Sequence, residues 1–398
     1  MSSSEQVDSV VAAEVQVREY KTFDEMPLPA SLLRGVYAHG FEQPSQIQQK
    51  AIMPIAEGRD LLAQAQSGTG KTGAFCIGSL CRIDPNLNQI QVIILAPTRE
   101  LSDQIKKVAT AISSFLLKPD SVYGATGGTP LRDDIKALEK GCQFLVGTPG
   151  RIFDLMSRNI LKRDHVKVLI LDEADQMLED RFKEQVFCIL KMGFPIETRV
   201  ALFSATMPPE VVECANSVLN NPVRILINPE QVTLEGIKQY FVALQREDWK
   251  YEALCDIYKQ LNINQAIIYC NKRQRAEWLA SKMKEEGFTL ECIHGEMDVS
   301  ERRSRMEDFR KGVVRVLIST DLLARGIDVQ QVSLVINFEM PTQKENYIHR
   351  IGRSGRYGRK GVAINLVTPD EMAKLRDIET HYGTTISTLP NTISDIPL

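Results

Sequence analysis

The chain has 398 residues, of which 43% are hydrophobic and 25% charged, a composition typical of a folded protein with two or three domains. Its formal net charge is −3, so no overall basic field favours a polyanionic partner. Residues 1–236 hold 24 Lys and Arg against 29 Asp and Glu, whereas residues 237–398 hold 24 against 22. Any nucleic-acid surface would therefore be a local groove.

The cysteines and the apolar segments indicate a reduced intracellular protein. The eight cysteines are scattered, with neither a C-x-x-C pair nor the Cys/His spacing of a zinc site. The sequence contains no apolar run of about 18 residues, so we expect no membrane span and no membrane partner. Acidic residues interrupt the apolar part of the first twenty positions, which argues against a signal peptide and predicts a mobile tail over residues 1–22.

Short apolar runs alternate with helix-like stretches, a pattern that indicates parallel sheets with helices on both faces. Asn228-Pro229-Glu230 and Gly236 separate two series of such runs. We therefore predict two α/β domains, at 23–226 and 239–398, joined by a short linker at 227–238. The runs are Leu61–Ala63, Val92–Leu95, Val168–Leu171 and Val200–Phe203, then Ala266–Tyr269, Val314–Ile318, Leu334–Ile336 and Val362–Ile364.

The segment after the first run has the composition of a phosphate-binding loop. Its glycines would let backbone N–H groups approach a phosphate chain, and the following helix would direct its positive end at the anion. Lys71 would reach the β and γ phosphates, and Thr72 would bind Mg²⁺. Kinases, GTPases and ATPases all use such loops. The predicted loop comprises Ala65, Gln66, Ser67, Gly68, Thr69, Gly70, Lys71 and Thr72.

An acidic group follows the run Val168–Leu171. Asp172 is predicted at the carboxyl end of a parallel strand, where open α/β sheets bind their ligands. This carboxylate could hold Mg²⁺, and Glu173 could orient or deprotonate the water that attacks the terminal phosphate. Together with the phosphate loop, the pair predicts a nucleotide-hydrolysing site.

With both groups present, the chain resembles the DEAD-box RNA helicases from about Phe23 almost to its last residue. The segment Gly40 to Gln48 resembles the family's Q motif. The resemblance implies that Gln48 reads the adenine edge, that Phe41 stacks on the ring and that Phe23 is the family's isolated upstream aromatic. A side-chain amide can pair with both the donor and the acceptor of adenine. An ordinary capped helix starting at Pro44-Ser45 is the alternative interpretation.

Further motifs follow in the family's order. The resemblance implies RNA contacts through Pro97, Thr98, Arg99, Gly127, Gly128, Thr148, Pro149, Gly150 and Arg151 in the first domain, and through Asn271, Thr320 and Arg325 in the second. It also implies that Ser204 and Thr206 couple hydrolysis to strand separation, by bonding Asp175 and His349. Asp328 would contact the ribose, and Arg353 and Arg356 would contact the γ-phosphate.

The family likeness implies two RecA-like domains, ATP and Mg²⁺ as cofactors, and a monomeric ATP-dependent RNA helicase that separates short duplexes with little sequence preference. Phrases such as Leu234–Gln239 and Leu322–Gln331 favour the branch of translation initiation, acting on 5′ untranslated regions of mRNA in the cytoplasm. Its partners would be the large scaffold subunit of the cap-binding complex and RNA-binding accessory factors. A nuclear RNA clamp of the exon-junction type is the alternative, towards which Trp249, Trp278 and Ser354 point. A small-molecule kinase or GTPase is a third possibility.

Overall fold

The computed structural model describes residues 18–65, 68–178, 182–225, 237–260, 265–321, 332–354 and 361–390. The chain divides into two compact units, and the boundary between them in the sequence lies between residues 226 and 227. Each unit contains one parallel sheet with helices, so the predicted fold class is confirmed. Apart from two corrections given below, the domain limits stated above stay predictions.

The described part of the first unit contains seven strands in the order β3-β4-β2-β5-β6-β1-β7, and all neighbours are parallel. The strands are β1 Leu61–Gln64, β2 Val92–Leu95, β3 Val122–Ala125, β4 Phe144–Gly147, β5 Val168–Asp172, β6 Arg199–Ser204 and β7 Val223–Ile225. The helices are α1 Ala30–Ala38, α2 Gln46–Ala56, α3 Lys71–Leu80, α4 Arg99–Ile112, α5 Leu131–Glu139, α6 Pro149–Ser157, α7 Ala174–Met177, α8 Lys183–Lys191 and α9 Pro209–Val218, with a 3₁₀ turn at Ser113–Phe115.

The second unit repeats this plan with the strand order β10-β11-β9-β12-β13-β8-β14, again parallel throughout its described strands. The strands are β8 Ile237–Ala243, β9 Ala266–Tyr269, β10 Leu290–Ile293, β11 Val316–Ser319, β12 Leu334–Asn337, β13 Gly361–Val367 and β14 Ser387–Thr388. The helices are α10 Trp249–Gln260, α11 Arg273–Glu285, α12 Val299–Arg310, α13 Lys344–Ile351 and α14 Pro369–Tyr382.

Burial explains why these segments adopt these structures. The central strands β2, β4 and β5 are buried at every residue, as expected for a sheet that is covered on both faces. In α4 the buried residues Leu101, Ile105, Ala109 and Ile112 recur at intervals of three or four, which places them on the helix face that packs on the sheet.

The strand order brings three loops of the first unit to the same edge of its sheet. β6 lies between β1 and β5, so the segments after β1, β5 and β6 leave the sheet side by side. Strands β1 and β2 are consecutive in the chain but are separated in the sheet by β6 and β5. Such a reversal of strand order opens a crevice at the carboxyl ends of parallel strands.

The structure corrects three details of the sequence prediction. Ile237 and Lys238, assigned above to the linker, are the first residues of β8, because they pair with Gly361 and Val362. Within the predicted tail, Tyr20 is 7% exposed and its backbone N–H donates to the Gln49 carbonyl at 3.3 Å. The run from Val314 becomes a strand only at Val316.

Two further observations concern the chemistry suggested by composition. All eight cysteines are free thiols, in agreement with the expected reduced state. Across the described ranges, no helix is both long enough and apolar enough to span a bilayer.

Candidate nucleotide and RNA site

The phosphate loop ends in a left-handed glycine that is packed against the Q-motif segment. Gly70 has φ +98° and directly precedes α3, whose first residue is Lys71. A Cβ at Gly70 would lie 2.7 Å from Ser45 Oγ and 2.9 Å from Gln48 Nε2. Both the backbone conformation and the close approach therefore require glycine at this position. Gln66 and Ser67, also predicted to belong to the loop, lie outside the described residues.

Lys71 and the acidic group after β5 are in direct contact. Lys71 Nζ lies 3.1 Å from Glu173 Oε1, and the two side chains are 5% and 2% exposed. Glu173 has φ +54°, an uncommon conformation for a residue with a side chain, and it precedes α7. Backbone strain of this kind is frequent at functional sites. The structure thus brings together three of the predicted catalytic residues, since Asp172 is the adjacent residue.

Asp172 is a carboxyl group with an unusually high affinity for protons. Burial is the largest cause, and it raises the pKa of Asp172 to about 7, while the charge of Lys71 acts in the opposite direction. A buried carboxylate that one ammonium group does not fully compensate suits a divalent cation, whose charge would offset the desolvation of the anion. The donor set, a carboxylate with the Thr72 hydroxyl at the start of α3, is the oxygen chemistry that Mg²⁺ prefers.

Ser204, the last residue of β6, and Thr206, just after it, are both bonded to Asp175, one of their two predicted partners. Thr206 Oγ1 donates to Asp175 Oδ2 at 2.6 Å, and the Asp175 backbone N–H donates to Ser204 Oγ at 3.3 Å. These bonds connect the ends of β5 and β6 within the first unit. The predicted bond of these hydroxyls to His349 stays a prediction.

In the Q-motif segment, the capped-helix interpretation and the adenine interpretation are compatible. Gln48 Oε1 accepts from the Ser45 backbone N–H at 2.9 Å, and its Nε2 donates to the Gly70 carbonyl at 3.2 Å. The same side chain therefore caps α2 and contacts the phosphate loop. Phe41 is half-buried, and Phe23, which is fully buried, stacks on it with 6.5 Å between ring centroids. Phe23 supports Phe41 from the interior, and its own place in the nucleotide site stays a prediction.

The predicted RNA segments of the first unit occupy the carboxyl edge of the sheet. Pro97 and Thr98 follow β2, Gly127 and Gly128 follow β3, and Thr148 follows β4. Thr98 Oγ1 caps α4 by accepting from the Leu101 N–H at 3.2 Å. The helix that begins there directs its backbone N–H groups outwards, an arrangement that suits phosphate oxygens.

Arg151 has hydrogen-bond partners within the fold. Its Nη1 donates to Asp134 Oδ2 at 2.5 Å, and its Nη2 donates to the Thr129 carbonyl at 2.6 Å. The side chain of Arg151 is 10% exposed and that of Asp134 is fully buried. Asp134 also accepts from the Tyr123 hydroxyl at 2.8 Å. This guanidinium group therefore fixes the loop after Gly128 from the interior, and its predicted RNA contact stays a prediction.

In the second unit, Arg350 joins the ends of three strands. It is fully buried, and its guanidinium group donates to both carboxylate oxygens of Asp321, at 2.5 and 3.0 Å. It also donates to Asn271 Oδ1 at 2.7 Å, to Asn337 Oδ1 at 3.2 Å and to the Glu339 carbonyl at 2.8 Å. Arg350 therefore has a structural role, although the sequence groups it with Arg353.

The remaining predicted residues of the second unit divide into described and undescribed positions. The Asn271 side chain is bonded to Arg350 and to the Met340 carbonyl, and its backbone N–H donates to Glu339 Oε2 at 2.7 Å, so its RNA contact stays a prediction. Thr320 directly follows β11. Arg353 is 2% exposed, and its Nε donates to the His349 carbonyl at 3.1 Å. Arg325, Asp328 and Arg356 lie outside the described residues, and their assigned roles stay predictions, as does the γ-phosphate contact of Arg353.

Comparison with known proteins decides the family. The model described as DEAD/DEAH box helicase matches residues 45–214, and the model described as helicase conserved C-terminal domain matches residues 249–358. The chain is a DEAD-box helicase. It is 53% identical over 375 residues to the "ATP-dependent RNA helicase eIF4A" of Phaeosphaeria nodorum and 52% identical to that of Chaetomium globosum, with 94% of each chain covered. The predicted enzyme class is thereby confirmed.

Solved structures agree with this family. Among them is S. cerevisiae Dbp5 bound to RNA and ADP BeF3, with a TM-score of 0.86, 35% identity, and coverage of 93% of this chain and 95% of that one. Another is Mss116p bound to single-stranded RNA and AMP-PNP, with a TM-score of 0.85, 28% identity, and coverage of 93% and 79%. The eIF4A relatives confirm the predicted translation-initiation branch and give no support to the exon-junction alternative.

Sequence reasoning missed two residues that organise the site. Asp134 was not selected, although Leu131, Asp134 and Leu138 have the spacing of one helix face, which indicates that this acid points inwards. Arg350 was not selected either. Its position in the last turn of α13, between the apolar residues Ile348 and Ile351, was the available signal of burial.

Proposed function

We propose that this chain is an ATP-dependent RNA helicase of translation initiation, which separates short RNA duplexes locally on the 5′ untranslated regions of mRNA. The observation that carries the proposal is the contact between Lys71 and Glu173, beside Asp172, at the switch point of the first sheet. A phosphate-binding lysine and a candidate general base lie together there, and phosphoryl transfer to water needs both groups at the terminal phosphate.

The residues of the first unit have separate tasks in this proposal. The backbone of the Gly70 loop and the positive end of α3 bind the phosphate chain, and Lys71 neutralises its outer part. Thr72 and Asp172 would hold Mg²⁺, whose charge would offset that of the phosphates. Glu173 aligns the attacking water and accepts its proton.

Base selection would be carried out by Gln48. Its amide is fixed at two points, by the Ser45 N–H and by the Gly70 carbonyl, so its orientation is set before any base arrives. A pre-oriented amide costs little side-chain entropy on binding. Phe41 would offer one face of its ring to the base, because Phe23 covers the other side.

RNA would be held mainly by its backbone. Helix starts, glycine loops and hydroxyl groups recognise phosphate and sugar rather than base edges, so we expect little sequence preference. By analogy with the eIF4A relatives, we propose cytoplasmic function with a large scaffold subunit of the cap-binding complex and RNA-binding accessory factors as partners. A pull-down that asks whether a cap-complex or an exon-junction scaffold is captured tests this assignment.

The central experiment measures unwinding of a short RNA duplex with and without ATP, together with RNA-stimulated phosphate release. Strand separation that requires ATP supports the helicase. ATP-dependent RNA retention without strand separation would instead favour a static clamp, and hydrolysis that RNA leaves unchanged would favour a small-molecule kinase or GTPase. The Glu173→Gln variant is the matched negative control, since its side chain has nearly the same shape.

A further inference from the structure

A basic groove lies at the β3 edge of the first sheet, outside the nucleotide site. Its volume is about 670 Å³, and it is bounded by the second half of α4, the 3₁₀ turn, residues 117–120, β3 and α5. We call it the lysine groove, because its charged lining residues are Lys106, Lys118, Lys136 and Lys140, with Asp120 and Asp133.

The positive charge of the lysine groove is not neutralised within the described structure. None of the four lysines forms an ion pair or a side-chain hydrogen bond with a described residue, and the nearest aromatic contact is Lys106 Nζ at 5.5 Å from the Tyr123 ring. Of the two acids, Asp133 lies 3.8 Å from Arg132. This local positive surface stands out because residues 1–236 carry an excess of acids. Because the chain has no overall basic charge, a nucleic-acid surface would have to be a local basic groove. The lysine groove is such a surface.

Lysines near an edge strand also protect it from pairing with other strands. Such protection normally resides on the edge strand itself, but β3 is Val-Tyr-Gly-Ala and carries no charge. The lysines come from the elements on either side. Lys106 lies directly across β3, since a Cβ at Gly124 would be 3.2 Å from Lys106 Cδ. Edge protection therefore leaves the convergence of the four lysines unexplained.

The lysine groove adjoins the predicted RNA segments through shared residues. Tyr123 lines the groove and donates to Asp134, which holds Arg151 and, through it, the loop at Thr129. Along α4, Lys106 is seven residues from Arg99, a distance of roughly 10 Å at 1.5 Å per residue. An RNA strand that passes Gly127 and Gly128 would therefore reach the lysine groove within a few nucleotides.

We propose that the lysine groove binds phosphates of an RNA segment that continues beyond the nucleotides held at the carboxyl edge of the sheet. The inference deepens the proposed RNA helicase function and depends on it. Lysines act as point charges on phosphates, without base specificity. An acidic protein partner fits less well, because the larger apolar lining residues Leu117 and Val122 are buried and offer no exposed anchor of the kind that dominates protein interfaces.

The test compares a short and a long RNA, of about 6 and about 20 nucleotides, bound to the full chain with a non-hydrolysable ATP analogue. The variant is Lys106→Ala/Lys136→Ala/Lys140→Ala. We expect about tenfold weaker binding of the long RNA, a change below about twofold for the short RNA, and a salt dependence that is smaller by about two counterions. Alanine preserves the helices, so the variant is expected to fold.

The matched control is Lys107→Ala/Lys162→Ala/Lys191→Ala, which removes the same charge from residues that do not line the groove. Equal losses in the two variants, equal losses on both RNAs, or no loss at all would overturn the proposal. The proposal would also be overturned if the lysine-groove variant lost binding to an acidic peptide but kept its RNA binding. That result would assign the groove to a protein partner. ATP hydrolysis stimulated by the short RNA tests the helicase function independently, since it would persist if only the groove proposal failed.

Discussion

Lys71 Nζ lies 3.1 Å from Glu173 Oε1 in an environment that is almost closed to solvent. The lysine belongs to the first turn of α3 and the glutamate to the turn after β5, 102 positions later in the chain. One ammonium group must therefore serve two anions, the carboxylate and the incoming phosphates. In the proposed mechanism, this contact couples the residue that would bind the phosphates to the residue that would activate water.

The first prediction concerns Glu173. Glu173→Gln keeps the shape of the side chain and its contact with Lys71 but removes the basic carboxylate. We expect hydrolysis to fall by about 100-fold or more, with ATP and RNA affinities within about threefold of the parent. Phosphate release and equilibrium binding measure the two quantities. Full turnover in this variant would exclude Glu173 as the base.

The second prediction concerns pH. Because burial raises the pKa of Asp172 to about 7, this carboxyl group must lose a proton before it can bind Mg²⁺. The affinity for Mg·ATP is therefore expected to rise between pH 6 and pH 8. Below pH 7 the rise should be up to about tenfold for each pH unit. Calorimetry in buffers of different ionisation enthalpy should detect the released proton near pH 6.5.

The control for this pH dependence is Asp172→Asn, which cannot titrate. Its Mg·ATP affinity should be low, and its pH profile should keep only the contribution of the nucleotide phosphates. The same pKa affects stability with the opposite sign. Because the pKa of Asp172 is higher in the folded state than in the unfolded state, its contribution to stability is greatest below about pH 4 and is lost as the pH rises to 7. Identical profiles in parent and variant would contradict both statements.

The third prediction concerns the contact between the phosphate loop and the Q-motif segment. In Gly73→Ala, the new Cβ would lie 2.5 Å from Gln48 Nε2 and 2.9 Å from Phe41 Cε2. The Gln48 amide would have to move. We therefore expect the KM for ATP to rise about tenfold while kcat stays within about twofold, and we expect the selection of ATP over GTP to weaken. Gly295→Ala is the control, since its Cβ would meet no atom within 4 Å.

The sequence predicts the features of this molecule that a short segment of chain reveals by itself, and it does not predict contacts between distant segments. The nucleotide residues could be found because glycines, a lysine and an acidic pair each follow an apolar strand, and parallel sheets bring such ends together. The short edge strand β3, Val122–Ala125, was missed because two of its four residues are Gly and Ala. The partners of Arg151 and Arg350 lie 11 to 79 positions away, and no spacing rule connects them.

The fourth prediction concerns Arg350. Arg350→Ala leaves Asp321, Asn271 and Asn337 without their shared donor. We expect the free energy of unfolding of the second unit to fall by about 3 kcal/mol. This value is at the low end of the range for breaking a buried ion pair, because Asp321 is 30% exposed. Arg350→Lys should recover little, since one ammonium group cannot reproduce the planar set of donors. Denaturant unfolding of the full chain provides the measurement. A loss below about 0.5 kcal/mol would show that the network is dispensable.

The fifth prediction concerns Asp134, which touches no predicted ligand yet should affect RNA binding. Asp134→Ala removes the carboxylate that holds Arg151 and accepts from Tyr123. The guanidinium group would then lose its main partner, and the loop at Thr129 would lose its fixed position. We expect RNA affinity to fall about tenfold, because ordering the loop must then be achieved on binding.

Nucleotide affinity separates this positioning effect from general unfolding. The Asp134 network joins β3 to the first turn of α5, whereas Lys71 begins α3 after β1, on the far side of the sheet. The ATP affinity of Asp134→Ala should therefore stay within about twofold. Asp134→Glu is expected to restore most RNA affinity, and Tyr123→Phe, which leaves the pair with Arg151 intact, to cost less than about threefold. Equal losses of ATP and RNA affinity in Asp134→Ala would show that the residue serves only stability.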